Sequence, residues 1–332
     1  MTGFTFCVRA VTIRNRIMQR QIPHFPHWIP LDLTLESIVA PRLNVLTDGV
    51  SEFTFPGLFL FRRHYGYEVS LSPDNRLLIS GERPDGTFFL APEGLPHDDA
   101  VILNLFERFD YLKNLPPSWL AAAQERLAPL GIELFPDRKN FDYLYRAEEL
   151  AQLPGKRFHK KRNHVNAFHK QYSSSVAGLT SENEQDARDV LERWRASRED
   201  SADYEEALEG LNHREHFGLE GIIVYVDGFP VGYAMGEPIG RSDTFIVHVE
   251  KALPEYRGLY QYLNQAFAQR IAERYSLINR EQDLGDPGLR QAKMTYRPCG
   301  FVEKHRAVPA VRQAFFPEGA GESGERADCC RC

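Results

Sequence analysis

Charged side chains crowd most densely into INREQDLGDPGLRQAKMTYRP, residues 278–298. Arg280, Glu281 and Asp283 follow a short apolar run, and Asp286 and Pro287 then mark the cap and first residue of a helix carrying Arg290 and Lys293. Charges this close at a strand end are costly to bury unpaired, so they either pair with one another or receive a ligand bearing both signs. An aminoacyl group, with its cationic amine, suits Glu281 and Asp283, leaving Arg280, Arg290 and Lys293 for the rest of a substrate. The alternative is an ion-pair lattice that locks the last helix in place.

Thirty residues upstream lies DTFIVHVEKA, residues 243–252. Strict alternation along a strand puts Phe245, Val247 and Val249 on one face and Thr244, Ile246, His248 and Glu250 on the other. A histidine beside a carboxylate can act as a general base or bind an amine, and a satisfied core pair is the alternative. Lys251 follows as a candidate to stabilise a developing oxyanion. His248, Glu250 and Lys251 are therefore the candidate catalytic residues. Arg257 and Gly258 come next, where a glycine at a helix entry lets backbone N–H groups approach an anion. A single Arg-Gly pair falls short of the glycine-rich pyrophosphate loop of ordinary acetyl-coenzyme A enzymes.

A third group is GKRFHKKRNHVNAFHKQY, residues 155–172, which contains no acid. Helical spacing gathers Phe158, Val165, Phe168 and Tyr172 on one stripe and His159, Arg162, Asn163, Asn166 and Lys170 on another. Lys156, His159, Lys160, Arg162, Asn163 and Asn166 are candidates for phosphate or tRNA binding, because guanidinium, ammonium and amide groups pair with phosphate oxygens. A solvated helix face is the bland alternative. His159, His164 and His169 fan around the helix, so no metal site is expected.

The elements that must position these groups are spread over 332 residues, more than one hydrophobic core of about 250–300 residues usually covers. Residues 76–94 read as a hairpin turning at Asp85-Gly86, followed by helices over 97–109 and 116–131 and short strands at 133–136 and 141–146. The plan recurs: a hairpin over 221–237 turning at Asp227-Gly228, a strand at 243–252, an amphipathic helix over 257–275 and a strand at 276–281. This is an α/β order with mixed sheets. The expected division is an N-terminal extension (1–26), a first domain (27–154), a basic linking helix with the second, active domain (155–312), and a disordered tail (313–332).

Forty Lys and Arg against 46 Asp and Glu give a net charge of −6, which excludes a polyanion binder acting over its whole surface. No run approaches the roughly 18 apolar residues of a spanning helix. The five cysteines lack the paired spacing of a disulfide framework or zinc knuckle, so a cytoplasmic setting is expected.

Taken together, GKRFHKKRNHVNAF, HVEKALPEYRGLYQYLN, INREQDLGDPGLRQAK and TYRP resemble the family of the C-terminal catalytic domain of phosphatidylglycerol lysyltransferase, over about residues 27–308. The resemblance implies two tandem acetyltransferase-like (GNAT-like) domains, similar to the Fem aminoacyltransferases, with aminoacyl-tRNA as donor. Membrane-bound members acylate a lipid hydroxyl, and fungal relatives a sterol. The residues it carries over are Lys160, Arg162 and Asn163, then His248, Glu250 and Lys251, then Arg280, Glu281, Asp283, Arg290 and Lys293.

The resulting expectation is an aminoacyltransferase that moves an aminoacyl group from tRNA to a hydroxyl or amine of a lipid-like or small-molecule acceptor. No tightly bound cofactor or metal is expected, tRNA is the expected partner, and peripheral membrane contact is compatible with the composition. Acetyl-coenzyme A is the alternative donor, and a non-catalytic binding module the alternative class. All of this requires the basic segment and the NREQD cluster to open onto a common cavity.

Overall fold

The computed structural model describes residues 21–199, 203–240 and 242–315. In chain order its strands are β1 (Ile29–Pro30), β2 (Glu68–Leu71), β3 (Leu77–Arg83), β4 (Gly86–Leu90), β5 (Tyr111–Leu115), β6 (Ile132–Pro136), β7 (Asp142–Arg146), β8 (Ser174–Gly178), β9 (Glu220–Val226), β10 (Phe229–Pro238), β11 (Thr244–Ala252), β12 (Leu277–Asn279), β13 (Gly300–Val302) and β14 (His305–Pro309). The helices are α1 (Glu36–Leu43), α2 (Phe55–Tyr65), α3 (Asp99–Arg108), α4 (Leu120–Leu127), α5 (Ala147–Gln152), α6 (His159–Gln171), α7 (Glu184–Ala196), α8 (Tyr204–Asn212), α9 (Arg214–Phe217), α10 (Leu259–Ile271) and α11 (Pro287–Met294).

Both expected hairpins form. Arg83 pairs with Gly86 around the Pro84-Asp85 turn, and Val226 pairs with Phe229 around Asp227-Gly228, where both turn residues take positive φ. In each half the hairpin strands run antiparallel, and one more strand then joins in parallel after a crossover helix. β5 lies parallel to β4 after α3, and β12 parallel to β11 after α10. The fold is α/β, with two seven-stranded mixed sheets flanked by helices.

The sheets are not confined to their halves of the sequence. Their orders are β1-β2-β3-β4-β5-β14-β6 and β13-β7-β12-β11-β10-β9-β8. β7, from the first half, sits between β12 and β13, while β14, from the end of the fold, sits between β5 and β6. The division anticipated between residues 154 and 155 therefore separates α5 from α6 but not the sheets. An isolated strand pattern carries burial and period, not the identity of the neighbouring strand.

At the front of the first half, Ile22 is buried and the Phe25 amide donates to the Leu71 carbonyl at 2.8 Å, so packing begins before residue 27. At the other end a 3-10 helix spans Ala310–Phe315. The remaining tail, with its CCRC cluster, and residues 1–20 lie outside the described residues.

The seam between the halves has an apolar part and a charged part. α2 packs on α8 and α9 through Phe59 and Phe217, whose ring centroids are 5.2 Å apart, and Arg62 reaches Glu209 at 3.0 Å. Deeper, Lys304 and Asp142 are both fully buried and joined at 2.6 Å, and Lys304 also bonds Glu52. Glu52 in turn takes Lys113 of β5 at 3.3 Å. Asp142 Oδ1, which takes Lys304, also accepts from the Ser51 hydroxyl at 2.9 Å, and Oδ2 accepts from the Ser51 amide at 2.9 Å and from Asn279 of β12 at 3.2 Å. Two acids and two bases thus neutralise one another with nearly every lone pair occupied, as a buried charge network requires.

Within this network burial opposes the charge on Glu52, but Lys304 and Lys113 outweigh it and hold its carboxyl below the ordinary range. Burial also brings the Lys113 ammonium down to about 8 despite Glu52. Lys304→Met leaves Asp142 uncompensated and Glu52 with Lys113 alone, and is expected to lower the unfolding free energy by about 3–5 kcal/mol. Adding Asp142→Asn and Glu52→Gln should recover part of that loss, and urea denaturation of the series measures both steps.

Candidate functional site where the parallel strands part

β11 and β12 pair only from Thr244 opposite Leu277 to Ile246 opposite Asn279. β11 then continues to Ala252 while β12 ends at Asn279, so the pairing parts at the carboxyl ends of two parallel strands, the usual ligand position in such sheets. Two features shape this opening: a bulge in β11 and five consecutive anchored residues that begin with the last of β12.

The bulge is at His248. Gly236 pairs with Val247 and Met235 with Val249, so His248 has no opposite number on β10. Only glycine fits at residue 236, because a Cβ there would lie 1.8 Å from the Ile246 carbonyl oxygen. The extra residue changes the parity of the strand. Glu250, paired with Ala234, shares a face with Val247, whereas Val249 and Lys251 share the face of Ile246. The anticipated side-by-side arrangement of His248 and Glu250 is therefore corrected: the bulge sends them to opposite sides of the sheet.

Arg280 and Glu281, adjacent on the partner strand's extension, follow the same split. Glu281 accepts from His248 Nδ1 at 2.8 Å, and Arg280 Nη2 donates to Glu250. His248 Nε2 donates to Glu237 at 3.0 Å, so the imidazole lies between two carboxylates. Burial alone would lower its pKa, but the bonds to Glu237 and Glu281 prevail and hold it at about 10. His248 is thus an imidazolium with both nitrogens engaged, not the proton acceptor anticipated for it. Its Cε1 faces Gly57 of α2, where an added Cβ would come within 3.7 Å.

The segment from Asn279 to Asp283 anchors each residue on a different partner. Asn279 donates to Asp142 in the seam network and accepts from the Glu281 amide at 2.8 Å. That bond holds Glu281 at a φ of 53°, a conformation rarely adopted by a residue with a side chain. Gln282 donates to the Ser51 hydroxyl at 2.9 Å. Asp283 is fully buried and accepts from Tyr143 at 2.6 Å, Arg290 at 2.9 and 3.2 Å, Arg138 at 3.1 Å and the Gly285 amide at 2.8 Å. Burial would raise its pKa, but the bonds from Arg290, Tyr143 and the Gly285 amide keep the carboxyl below its usual value. Asp283 consequently has no capacity left for a substrate amine. Its function and that of Arg290 is to fasten α11.

Lys293 is another structural cation. Its Nζ donates to the carbonyls of Arg280, at 2.7 Å, and of Gln282, and burial with Arg280 nearby lowers its pKa to about 8. Lys251 lies away from His248, bonded to Asp203 with its ammonium 3.9 Å from the Trp194 ring centroid, and burial lowers its pKa too.

Of the basic segment, a 3-10 turn spans Lys156–Phe158 and α6 the rest, with Phe158, Val165 and Phe168 buried as the spacing predicts. Lys156, His159, Lys160, Asn163 and Asn166 are exposed, with Asn163 and His159 bonded to each other at 3.1 Å. Arg162 instead caps the chain after α5, donating to the Leu153 and Gly155 carbonyls. Arg257 is exposed, but Gly258 is not an anion loop: a Cβ there would lie 2.6 Å from the His164 carbonyl, so the glycine makes room for α6.

The basic helix and the NREQD cluster touch at one point, the ring of Tyr296. Lys161 of α6 places its ammonium 3.8 Å from the centroid of the Tyr296 ring, and the Arg280 guanidinium carbon lies 5.0 Å from the same centroid. Sequence reasoning counts Lys161 among the cations of the acid-free run without placing it at the site, and singles out none of Tyr296, Glu237 and Arg138. A cavity of about 590 Å³ lies elsewhere, between β8, β9 and the end of α10. Among the described residues no group of three or more His, Cys, Asp or Glu is arranged to hold a metal, and no helix is long and apolar enough to cross a membrane.

A tandem pair of mixed sheets, each opening where a parallel strand joins, defines an acyltransferase-type fold, and solved structures share it. A conserved protein of unknown function from Bacteroides thetaiotaomicron superposes with a TM-score of 0.74 at 29% identity, covering 85% of this chain and 99% of that one. The C-terminal domain of a putative lysylphosphatidylglycerol synthetase from Agrobacterium fabrum gives 0.57 at 14% identity, covering 86% and 97%. FemX gives 0.51 at 10% identity, covering 88% and 100%, a likeness of fold alone. In sequence, an uncharacterized protein of Mycoplasmoides gallisepticum is 28% identical over 175 residues, 49% of this chain and 54% of that protein, so the chain spans about half the length of the curated relative it matches. Residues 43–308 match the family described as phosphatidylglycerol lysyltransferase, C-terminal, and the chain belongs to that family.

The charged imidazole makes a testable demand on pH. Its pKa is raised from 6.5 to about 10 on folding, so it contributes stability that is complete below pH 6.5 and fades as the pH climbs through about 10. Wild type should exceed His248→Gln in stability at neutral pH, with the difference shrinking over that range. Urea denaturation of both proteins measures it, and a difference independent of pH would rule out a charged His248.

Proposed function

We propose that the chain transfers an aminoacyl group from aminoacyl-tRNA to a hydroxyl or amine acceptor, lipid-like or small. Family membership supports this reading. The single observation that carries it is the junction at Tyr296, where Lys161 of the basic helix meets Arg280, the chain neighbour of the candidate carboxylate.

That carboxylate is Glu281. Its side chain is 20% exposed, against 0% for Asp283, and one oxygen faces the imidazolium of His248. In the proposed reaction Glu281 receives the donor's ammonium. The acceptor's oxygen or nitrogen forms a bond to the aminoacyl carbonyl carbon, the ester bond to the tRNA ribose breaks, and the proton lost by the acceptor ends on the ribose hydroxyl. His248 and Glu237 act as positioning residues that fix Glu281, and the exposed Lys156, Lys160 and Asn166 contact tRNA phosphates. The ester is already activated, so holding both partners in line supplies much of the rate.

The test is incubation with a mixed pool of charged tRNA in the presence of extracted lipids, sterols, peptides or amines. Deacylation above the spontaneous rate, with label passing into one acceptor fraction, is expected. Glu281→Gln should slow it by about 10- to 100-fold, the worth of one charge-assisted hydrogen bond. If no charged tRNA is consumed with any acceptor, the reading fails. Acetyl-coenzyme A remains the alternative donor, and saturable coenzyme binding without tRNA binding, by calorimetry, selects it.

A further inference from the structure

Apart from one carboxylate's worth of charge at His248, the acids beside the parting strands already have resident cations. Glu250 takes Arg280 Nη2 and Asn264, Asp283 takes Arg290 and Arg138, and Glu237 and Glu281 share His248. The cations are not balanced in return. Lys293 is spent on two carbonyls, Lys161 rests on an aromatic ring, and Arg280 Nη1 is buried without a hydrogen-bond partner. An orphaned guanidinium nitrogen costs free energy that a ligand oxygen would restore.

We propose that Lys161, Arg280 and Tyr296 form an oxyanion subsite, and that the group it takes is a phosphate of the substrate. The guanidinium offers a free N–H edge, and the ammonium offers a mobile point charge beside it. Phosphate suits this pair, having oxygens for both and a charge that offsets two neighbouring cations. Tyr296 sets the spacing, since both cations lie over its ring, at 3.8 and 5.0 Å from the centroid. Lys161 bears the cost of the empty site: burial, and then repulsion from Arg280, bring its pKa down to about 8.

This subsite deepens the aminoacyl-transfer reading, and as a source of phosphate it rests on that reading. Its test uses inorganic phosphate as the probe, titrated calorimetrically into the full chain, with lysinamide as the cationic arm. Saturable phosphate binding is expected, weakened about tenfold by Lys161→Gln and restored by Lys161→Arg, as for loss of one charge-assisted contact. Arg270→Gln, which removes one cation at the β8 groove, is the charge-matched control and should leave binding unchanged. Competition by a CCA-ended oligoribonucleotide assigns the phosphate to the nucleic acid, and competition by phosphatidylglycerol vesicles assigns it to a lipid headgroup. Absent phosphate binding, equal binding in wild type and Lys161→Gln, or lysinamide bound in its place overturns the subsite. Phosphate binding without tRNA deacylation keeps the subsite and discards the transfer reaction. Deacylation with phosphate binding indifferent to Lys161 does the reverse.

Discussion

Lys304 and Asp142, closed from solvent and 2.6 Å apart, tie together parts of the chain that otherwise share little. Through Glu52 and Ser51 the pair holds the segment before α2; through Lys113, strand β5; through Asn279, strand β12. Asn279 then fixes the backbone of Glu281, which meets His248. The position of the candidate carboxylate is thus set from the interior of the seam outward. Such a network tolerates little loosening, because a charge deprived of its partner in low dielectric is worse than no charge at all.

A single inserted residue decides which chemistry faces which side. Without the bulge at His248, Glu250 would stand beside the imidazole and Lys251 would keep the parity of Val249 on the strand's other face. With it, an imidazolium clamped between Glu237 and Glu281 lies on one side, and the Glu250–Arg280 pair on the other. The cleft is therefore two-faced, with its acidic and basic ends separated by the sheet itself.

Much of the fold was legible because local rules suffice for it. Pro84-Asp85-Gly86 and Asp227-Gly228 mark tight turns, Asp286-Pro287 opens α11 with the cap oxygen 2.6 Å from the Leu289 amide, and the apolar stripe of α6 is buried as spaced. The two hairpin repeats also hid a deeper likeness. Asn114 and Glu281 each stand two residues past the last parallel pairing, at Leu112 and Asn279, and both take positive φ. The site was harder to read. The NREQD cluster was recognisable as dense charge, but its division into clamp (Asp283), brace (Lys293) and available group (Glu281) depends on burial that no spacing reveals. Bulges obey close backbone approach at a glycine such as Gly236, and alternation cannot foresee them. Lys304, Asp142, Glu52 and Lys113 lie far apart in sequence with no common motif, so their meeting was invisible.

The traded strands have a consequence for how the chain comes to be folded. β14 is inserted between β5 and β6, so the first sheet stays incomplete until residue 309 has been synthesised, long after the rest of that sheet has emerged. β7 meanwhile waits for β12 and β13. Neither half can close by itself during translation, and the nascent N-terminal half carries an unfilled gap in its sheet for most of synthesis, the condition under which unpaired strand edges recruit the wrong neighbours.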